Sequence, residues 1–550
     1  MTEPTIADLL AAAEPRHPRA MQGLIDRLTV EGRLRGAREG GRAIGAQGIG
    51  AIEVRGVTDD SRALAPGALF VAIRGLHVDG HDHVERAAAA GAAAAIVERA
   101  LPEVALPQLI VDRSPAALAS AAAWWYDDPS RGLGVVGITG TDGKTTTSFL
   151  AVGALEAAGL SSGLVGTVAT QIGRTREPNP EHMTTPGAAS LQRTLRAMVG
   201  AGNGVAVVET TSHGLAADRV AGIAYDVGVL TNLSHEHLEF HGSWEAYRDA
   251  KLSLFERLAA GPSNPAKTID GRAWPKAAIV NADDPNAGAF IGVAQEAGAR
   301  IVTYGTDPTA DVRATHIEED AERLRVAYDA PSGPSMLVLR LAGRFNVHNG
   351  LAVVALGEVL ELDPAAIRAG LESVTGVPGR MERLDAGQPF GVVIDYAHSP
   401  AALEKVLGLL APLAAARGGE VIAVFGSAGE RDTEKRPTMG RIAGELCRLV
   451  VVTDEDPRGE DSRTILDAIA RGAEAAGKRR DRDLFVIADR AAAIAAAFER
   501  ARPGDIVLLA GKGHEQSIIG PAGPVSYDER SAAIAALAAL GFQALPAAAR

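Results

Sequence analysis

The sequence predicts an α/β protein of three domains: a small N-terminal α/β domain, a central domain with a mostly parallel sheet, and a C-terminal doubly wound domain. Three observations carry this prediction. The chain has 550 residues, enough for three or four domains at about 150 residues each. Short apolar runs alternate with Ala-rich helical stretches along most of it, the pattern of parallel strands joined by crossover helices. One run opens into a Gly-rich loop that ends on a lysine at a helix start, Gly140-Thr141-Asp142-Gly143-Lys144-Thr145-Thr146-Thr147.

Composition narrows the class. Hydrophobic residues make up 47% and charged residues 22%, so a largely disordered chain is excluded. The formal net charge of −13, spread without long blocks, disfavours a non-specific nucleic-acid binder. A single cysteine, Cys447, excludes a disulfide scaffold and suits a reducing compartment. No run reaches the roughly 18 uncharged apolar residues of a spanning helix. The N-terminus, with Glu3, Asp8 and Glu14, lacks a signal-peptide pattern. The expectation is a cytoplasmic monomer without nucleic-acid partner or membrane insertion. Only 8 of the 55 basic residues are lysine, so a lysine inside a motif stands out: Lys144, Lys251, Lys435 and Lys512.

Residues 1–50, helical patches followed by a Gly- and Arg-rich stretch at 32–50, read as a solvated N-terminal extension. The first domain, 51–130, has β-rich runs at 68–73, 94–97 and 108–111 and ends on Asp128-Pro129-Ser130. The central domain, 131–376, has buried strands expected at 133–138, 205–208, 227–230, 277–280 and 300–304. It ends near Thr375-Gly376-Val377-Pro378-Gly379. The third domain, 377–550, has five expected strands, at 391–394, 421–425, 449–452, 484–487 and 505–509, which make it Rossmann-like. Pro/Gly hinges near 130 and 377 suit closure around substrates.

The Gly140–Thr146 loop makes the central domain a phosphate-loop, ATPase-like one. Its glycines let backbone N–H groups face an anion, and the helix start adds partial positive charge. Lys144 can reach β- and γ-phosphates, and the hydroxyl of Thr145 can bind Mg²⁺. The strict GxxxxGK[ST] pattern is not met, because Ile138 stands five residues before Gly143, and Asp142 adds a negative charge. Strand, loop and helix nevertheless agree on nucleotide binding.

Two strand ends carry further chemistry. The first run leads into Glu209-Thr210-Thr211-Ser212-His213-Gly214. The second leads into Thr231-Asn232-Leu233-Ser234-His235-Glu236-His237-Leu238-Glu239-Phe240-His241-Gly242. Four histidines raise zinc, since imidazole suits it. Beside a phosphate loop, Mg²⁺ held by Glu209, Thr145 and triphosphate oxygens is the more economical site. By spacing alone Lys251 is a helix-face lysine.

At this point the chain resembles the Mur ligases, ATP-dependent enzymes that build the peptidoglycan stem peptide, and most of all the MurE type, which adds the third residue. The likeness spans roughly 55–545. It rests on TDDSR at 58–62, GTDGKTTT at 140–147, TTPG at 184–187, ETTSHG at 209–214, TNLSHEHLEFHG at 231–242, GRFNVHN at 343–349, DYAHSP at 395–400, ERDTEKRP at 430–437, EDPR at 455–458 and GKGHE at 511–515.

The resemblance implies roles. Ser61 and Arg62 would hold the uridine-nucleotide end of UDP-MurNAc-L-Ala-D-Glu in the N-terminal domain. Thr184, Thr185, Ser212 and Arg219 would contact its muramoyl dipeptide. Gly140, Thr141, Asp142, Gly143, Lys144, Thr145 and Thr146 would bind ATP, with Thr145, Glu209 and His237 around two Mg²⁺ ions. Lys251 falls where the family carries a carbamylated lysine that bridges metal and faces the UDP substrate. Lys144, Lys251 and His237 would be catalytic. Asn346, Asn349, Arg380 and Asp395 would meet ATP. Arg431, Asp456, Arg458, Gly511 and Glu515 would receive the incoming diamino acid. Arg binds carboxylate in a bidentate fork and Glu515 can pair with an ammonium. Glu455 and Asp456 depart from the usual DNPR, and Asp456 would repel a second substrate carboxylate. Arg458 favours meso-diaminopimelate, with L-lysine and L-ornithine as alternatives.

The nearest rivals are other amide ligases of the superfamily, a folylpolyglutamate synthetase or the ligase half of a cyanophycin synthetase. The TDDSR domain with its DGHDHVERA stretch argues against the former. A regulatory or transport P-loop ATPase would form no amide bond, and a nucleotide-sugar binding module would not need Lys144.

Overall fold

The structure is a computed structural model that describes residues 4–39, 42–75, 78–179, 183–234, 238–259, 267–269, 271–320 and 323–543. The chain forms two compact units. One comprises Met1–Glu318, Arg325–Val338 and Phe345–Ser373; the other comprises Glu319–Leu324, Leu339–Arg344 and Val374–Arg550.

The first unit opens with the part expected to be an extension, and this expectation is corrected. Strand Leu34–Glu39 pairs antiparallel with Gln108–Val111 and joins a six-stranded sheet whose remaining order runs through Ala94–Val97, Leu69–Val71 and Val57–Thr58. Helix Gln22–Val30 buries Leu24, Ile25 and Leu28 against that sheet, together with Trp125. At about 1.5–3 kcal/mol per buried aliphatic side chain, this packing makes residues 19–54 part of the domain core. Helix Ile6–Ala12 packs elsewhere. Its Ile6 lies in the core cluster of the central sheet, and its backbone N–H donates to Glu177 at 3.1 Å.

The central sheet has eleven strands. Its middle is parallel, in the order Ser162–Val165, Val205–Glu209, Gly134–Thr139, Val227–Leu230, Ala277–Asn281, Arg300–Gly305. Every residue of the Gly134–Thr139, Val205–Glu209, Val227–Leu230 and Ala277–Asn281 strands is buried, which is why they read as unbroken apolar runs. A hairpin, Ala169–Ile172 with Thr175–Pro178, extends one edge. Strands Val312–Glu319, Leu324–Asp329 and Ser335–Leu339 extend the other.

The second unit carries a six-stranded sheet in the order Glu382–Leu384, Gly391–Asp395, Ile506–Ala510, Val421–Phe425, Leu449–Val452, Leu484–Val486. All pairings are parallel except the first. Helices lie on both faces, giving two cores on either side of the sheet. This is the doubly wound arrangement, whose ligand edge is the row of carboxyl strand ends. Among the described residues no helix is long and apolar enough to cross a membrane.

Candidate functional site

In the first unit three parallel strands end side by side. Val165 is in register with Val208, and Val208 with Gly137. The residues just beyond these positions therefore share one edge. Gly134–Thr139 runs into the Gly-rich loop, and the helix Lys144–Ala157 starts directly after Gly143. Gly140 has φ +146° and Gly143 φ +83°, which place both in conformations open to glycine. A Cβ on Gly140 would overlap Thr231 Oγ1, and one on Gly143 would sit 2.5 Å from Asn349 Oδ1.

The neighbouring strand end clamps the loop. Thr231 Oγ1 donates to the Asp142 carbonyl at 2.6 Å, the Asp142 N–H donates to Asn232 Oδ1 at 3.0 Å, and the Thr141 N–H donates to the Asn232 carbonyl at 2.8 Å. Lys144 Nζ folds over the loop and donates to the carbonyls of Gly140 and Thr141 at 2.9 and 2.7 Å. Thr146 is buried in the first turn of the helix. Asn349 accepts from Thr147 Oγ1 at 3.2 Å and donates to Asn346 at 2.8 Å, so both asparagines stand at the loop.

Glu209, at the end of Val205–Glu209, is fully buried beside the loop. Its Oε2 accepts from Thr145 Oγ1 at 3.0 Å and from Thr167 Oγ1 at 2.8 Å, while Oε1 accepts from the Thr167 N–H at 3.2 Å. A hydroxyl and a carboxylate side by side are oxygen donors of the kind Mg²⁺ prefers, and they face a loop built for phosphate. The donor set fits that ion. His237, expected as a further ligand, lies outside the described residues, as does His235. His213 and His241 stand in an aromatic group: His213 stacks on Phe240 at 4.0 Å between ring centroids, and His241 meets Tyr247 at 5.4 Å.

Lys251 is buried on helix Trp244–Glu256, with Nζ donating to the Gly140 carbonyl at 2.8 Å and lying 4.6 Å from the Tyr247 ring centre. Tyr247 OH in turn meets Thr141 Oγ1 at 2.8 Å. A carbamate on this nitrogen would keep one N–H for Gly140.

Thr184 and Thr185 lie beside Glu209, and Thr184 Oγ1 accepts from Thr167 Oγ1 at 2.9 Å. Thr185 Oγ1 donates to the Glu209 carbonyl at 2.9 Å and accepts from the Thr211 N–H at 3.0 Å, and Arg219 donates to the Thr185 carbonyl at 2.9 Å. Ser212 is buried at the start of the following short helix. Burial pushes Asp59 up, with the charge of Asp60 adding and that of Arg219 opposing, so the Thr58–Arg62 turn feels Arg219. Arg62 pairs with Asp60 and holds that carboxyl at about 2. Ser61 is buried and bonded to Arg86.

The second unit gathers its expected residues along its own strand ends. Arg380 covers the Tyr396 ring at 4.8 Å. Asp395 accepts from the N–H groups of Met381 and Ala397, both at 2.8 Å. Burial holds its carboxyl above the usual range, against the pull of Arg380. Lys512 is buried and donates to Asp456 at 2.8 Å and to Glu515 at 2.5 Å. Asp456 also accepts from the Ile519 N–H at 2.9 Å. Lys512 thus puts one cation between the carboxylates of Asp456 and Glu515. Gly511 has φ +103°, and a Cβ there would lie 2.8 Å from Glu455 Oε2. Glu455 is pushed up by burial against His398, Lys435, Arg490 and Lys512, and its Oε2 has no hydrogen-bond partner among the described residues. Arg458 Nε is likewise buried and unpartnered among them. Arg431 is exposed.

The site thus brings together, within the first unit, Lys144, Thr145, Glu209, Lys251, Thr184, Thr185, Arg219, Asn346 and Asn349. Sequence reasoning missed Thr167, which no motif marks, and the clamp from Thr231 and Asn232, whose place after an apolar run was the available signal.

A phosphate loop with an acidic oxygen cradle and a buried lysine is the equipment of an enzyme that works on a nucleoside triphosphate. Comparison with known proteins gives the family. The Mur ligase middle domain matches residues 138–357, the Mur ligase glutamate ligase domain 379–513, and the Mur ligase family catalytic domain 53–126. A UDP-N-acetylmuramyl-tripeptide synthetase of Roseiflexus sp. (strain RS-1) is 50% identical over 496 residues, covering 89% of this chain and 96% of that protein. A UDP-N-acetylmuramoyl-L-alanyl-D-glutamate–2,6-diaminopimelate ligase of Geobacter metallireducens is 41% identical, covering 86% and 92%. A solved structure of a ligase bearing that same name aligns with a TM-score of 0.60 at 29% identity, covering 90% of this chain and 97% of that one. The chain belongs to the Mur ligase family, and it is an ATP-dependent ligase.

Proposed function

We propose that this ligase adds a diamino acid, with meso-diaminopimelate favoured, to the D-Glu carboxylate of UDP-MurNAc-L-Ala-D-Glu during cytoplasmic peptidoglycan synthesis, acting as a monomer. The observation that carries the proposal is the shared strand-end edge. There Lys144 and the Thr145–Glu209 pair of the phosphate loop stand directly beside Thr184, Thr185 and Arg219.

A carboxylate is a poor electrophile. Its oxygen attacks the γ-phosphorus of ATP, the bond to the β-phosphate oxygen breaks, and ADP leaves with an acyl phosphate formed. Lys144 swings from the carbonyls it now caps to the phosphates and offsets their charge. Thr145, Glu209 and His237 would hold Mg²⁺, which would supply further charge neutralisation on the phosphoryl oxygens. A carbamate on Lys251 would add oxygen donors at the loop. The free amine of the diamino acid then attacks the acyl carbon, loses a proton, and the tetrahedral intermediate expels inorganic phosphate. Ser61 and Arg62 anchor the uridine end, and Asn346 and Asn349 the nucleotide, with Arg380 and Asp395 contributing to ATP.

In the second unit Arg431 and Arg458 provide carboxylate forks, which supports a substrate with a second carboxylate. L-lysine or L-ornithine is the second reading. It is favoured by Glu455, whose unpartnered oxygen suits an ammonium.

The test is a ligation with UDP-MurNAc-L-Ala-D-Glu, ATP and a panel of diamino acids, with products weighed by mass spectrometry. The proposal expects ADP release that needs both co-substrates and the mass of a tripeptide precursor. ADP released without either co-substrate would contradict it.

A further inference from the structure

Thr167 follows the strand Ser162–Val165 and belongs to no motif that marks the site. Its side chain stands between two groups the proposed function separates: the metal-facing carboxylate of Glu209 and the dipeptide-facing hydroxyl of Thr184. Thr167 Oγ1 is 2.8 Å from Glu209 Oε2 and 2.9 Å from Thr184 Oγ1, and its N–H donates to Glu209 Oε1 at 3.2 Å.

The Thr167 hydroxyl is the hub of this chain. It is placed as donor toward both Glu209 Oε2 and Thr184 Oγ1, so one side chain ties the two groups together. Thr145 donates its own proton to the same Glu209 oxygen, so its 3.4 Å approach to Thr167 is a contact between two donors already engaged elsewhere. The result is one bridge that joins Thr184 to Glu209 through Thr167, reinforced by a backbone N–H on the second carboxylate oxygen. The preceding Gly166 leaves the room for it: a Cβ there would lie 2.3 Å from Glu209 Oε1.

We infer that Thr167 is a positioning residue that fixes the metal-binding carboxylate and the dipeptide-binding threonine as one unit, so that the acceptor carboxylate and the phosphoryl group are placed together. This rests on the proposed function above. Thr167→Val keeps the shape and removes the hydroxyl. It leaves Glu209 and Thr184 each short of one hydrogen-bond partner, the loss of a buried hydrogen bond to a carboxylate.

Direct binding of UDP-MurNAc-L-Ala-D-Glu, measured calorimetrically without nucleotide or metal, is the first readout. The inference expects Thr167→Val to bind about tenfold more weakly. In turnover, the Mg²⁺ concentration for half-maximal rate rises by about the same factor, and KM for the amino acid stays where it is. Thr167→Ser restores both. Unchanged substrate binding and unchanged Mg²⁺ demand in Thr167→Val overturn the inference. A loss shared equally by the amino-acid KM, or one that Thr167→Ser fails to repair, overturns it too, since it would mark a general packing defect. A wild-type chain that binds no muramoyl dipeptide removes the proposed function, and this inference with it.

Discussion

Lys144 caps two carbonyls of its own loop, so its ammonium stands where the proposed function puts phosphate. Replacing it by Ala removes the lysine cation from the loop. Ligation is expected to fall about 10²–10³-fold in kcat, as when an oriented donor to a developing charge is deleted, with little change in melting temperature. Glu455 offers a pH test. Burial raises its folded-state pKa, so the native state holds its proton more tightly than the unfolded chain does. Its contribution is therefore favourable at low pH and is lost as pH rises through the folded value. Glu455→Gln should flatten the fall in stability of the second unit from about pH 4.5 upward; an unchanged slope in denaturant melts across that range would refute the assignment. At this scale the loop was legible because glycine, lysine and hydroxyl types are dictated by phosphate chemistry. The pairing of Asp456 with Lys512 was not legible, because the lysine comes from a strand end 56 residues away. Thr167 was silent for the same reason: its partners are distant in sequence.

Elements are held to their sheets by more than apolar contact. In the second unit Arg490 and Glu529 form a fully buried pair that joins helices Arg490–Glu499 and Glu529–Ala539. Arg490 also donates to the carbonyls of Asp454 and Ala510, beside two ends of the ligand edge, at 3.1 and 2.8 Å. Burial opposes its charge and Glu529 more than offsets that. Arg490→Met leaves Glu529 in the interior without its cation, keeping only the Tyr527 hydroxyl as a donor. It should destabilise the unit by about 3–5 kcal/mol, read from chemical denaturation; a change within about 0.5 kcal/mol would show the pair to be dispensable. Parallel strands were the easiest elements to read, since burial on both faces gives unbroken apolar runs. Within residues 1–50, read as an extension, the part from 19 onward was misread because its strand Leu34–Glu39 carries Arg, Gly and Glu at an outer position of the sheet. There only Ala37 is fully buried, and no periodic apolar signal survives. The hairpin at 169–178 was missed as well, since its second strand is half exposed.

At the scale of the whole chain, the division into two units falls at Ser373 and Val374, beside the Thr375–Gly379 turn that the sequence marked as a boundary. Thr375 and Gly376 are exposed. Limited proteolysis should therefore nick the native protein first at this turn, with fragments identified by mass; early cleavage inside either parallel sheet would contradict the division. The residues assigned to metal and dipeptide lie in the first unit, those assigned to the incoming amino acid lie in the second, and those assigned to ATP fall in both. The proposed function turns on an acid group activated by phosphate from a nucleotide at the Gly140–Thr146 loop. The most direct measurement places oxygen-18 in both oxygens of the reacting D-Glu carboxylate and follows it after a single turnover. An acyl phosphate sends one labelled oxygen into the released inorganic phosphate and keeps the other in the new amide. Phosphate that emerges without label would contradict the account.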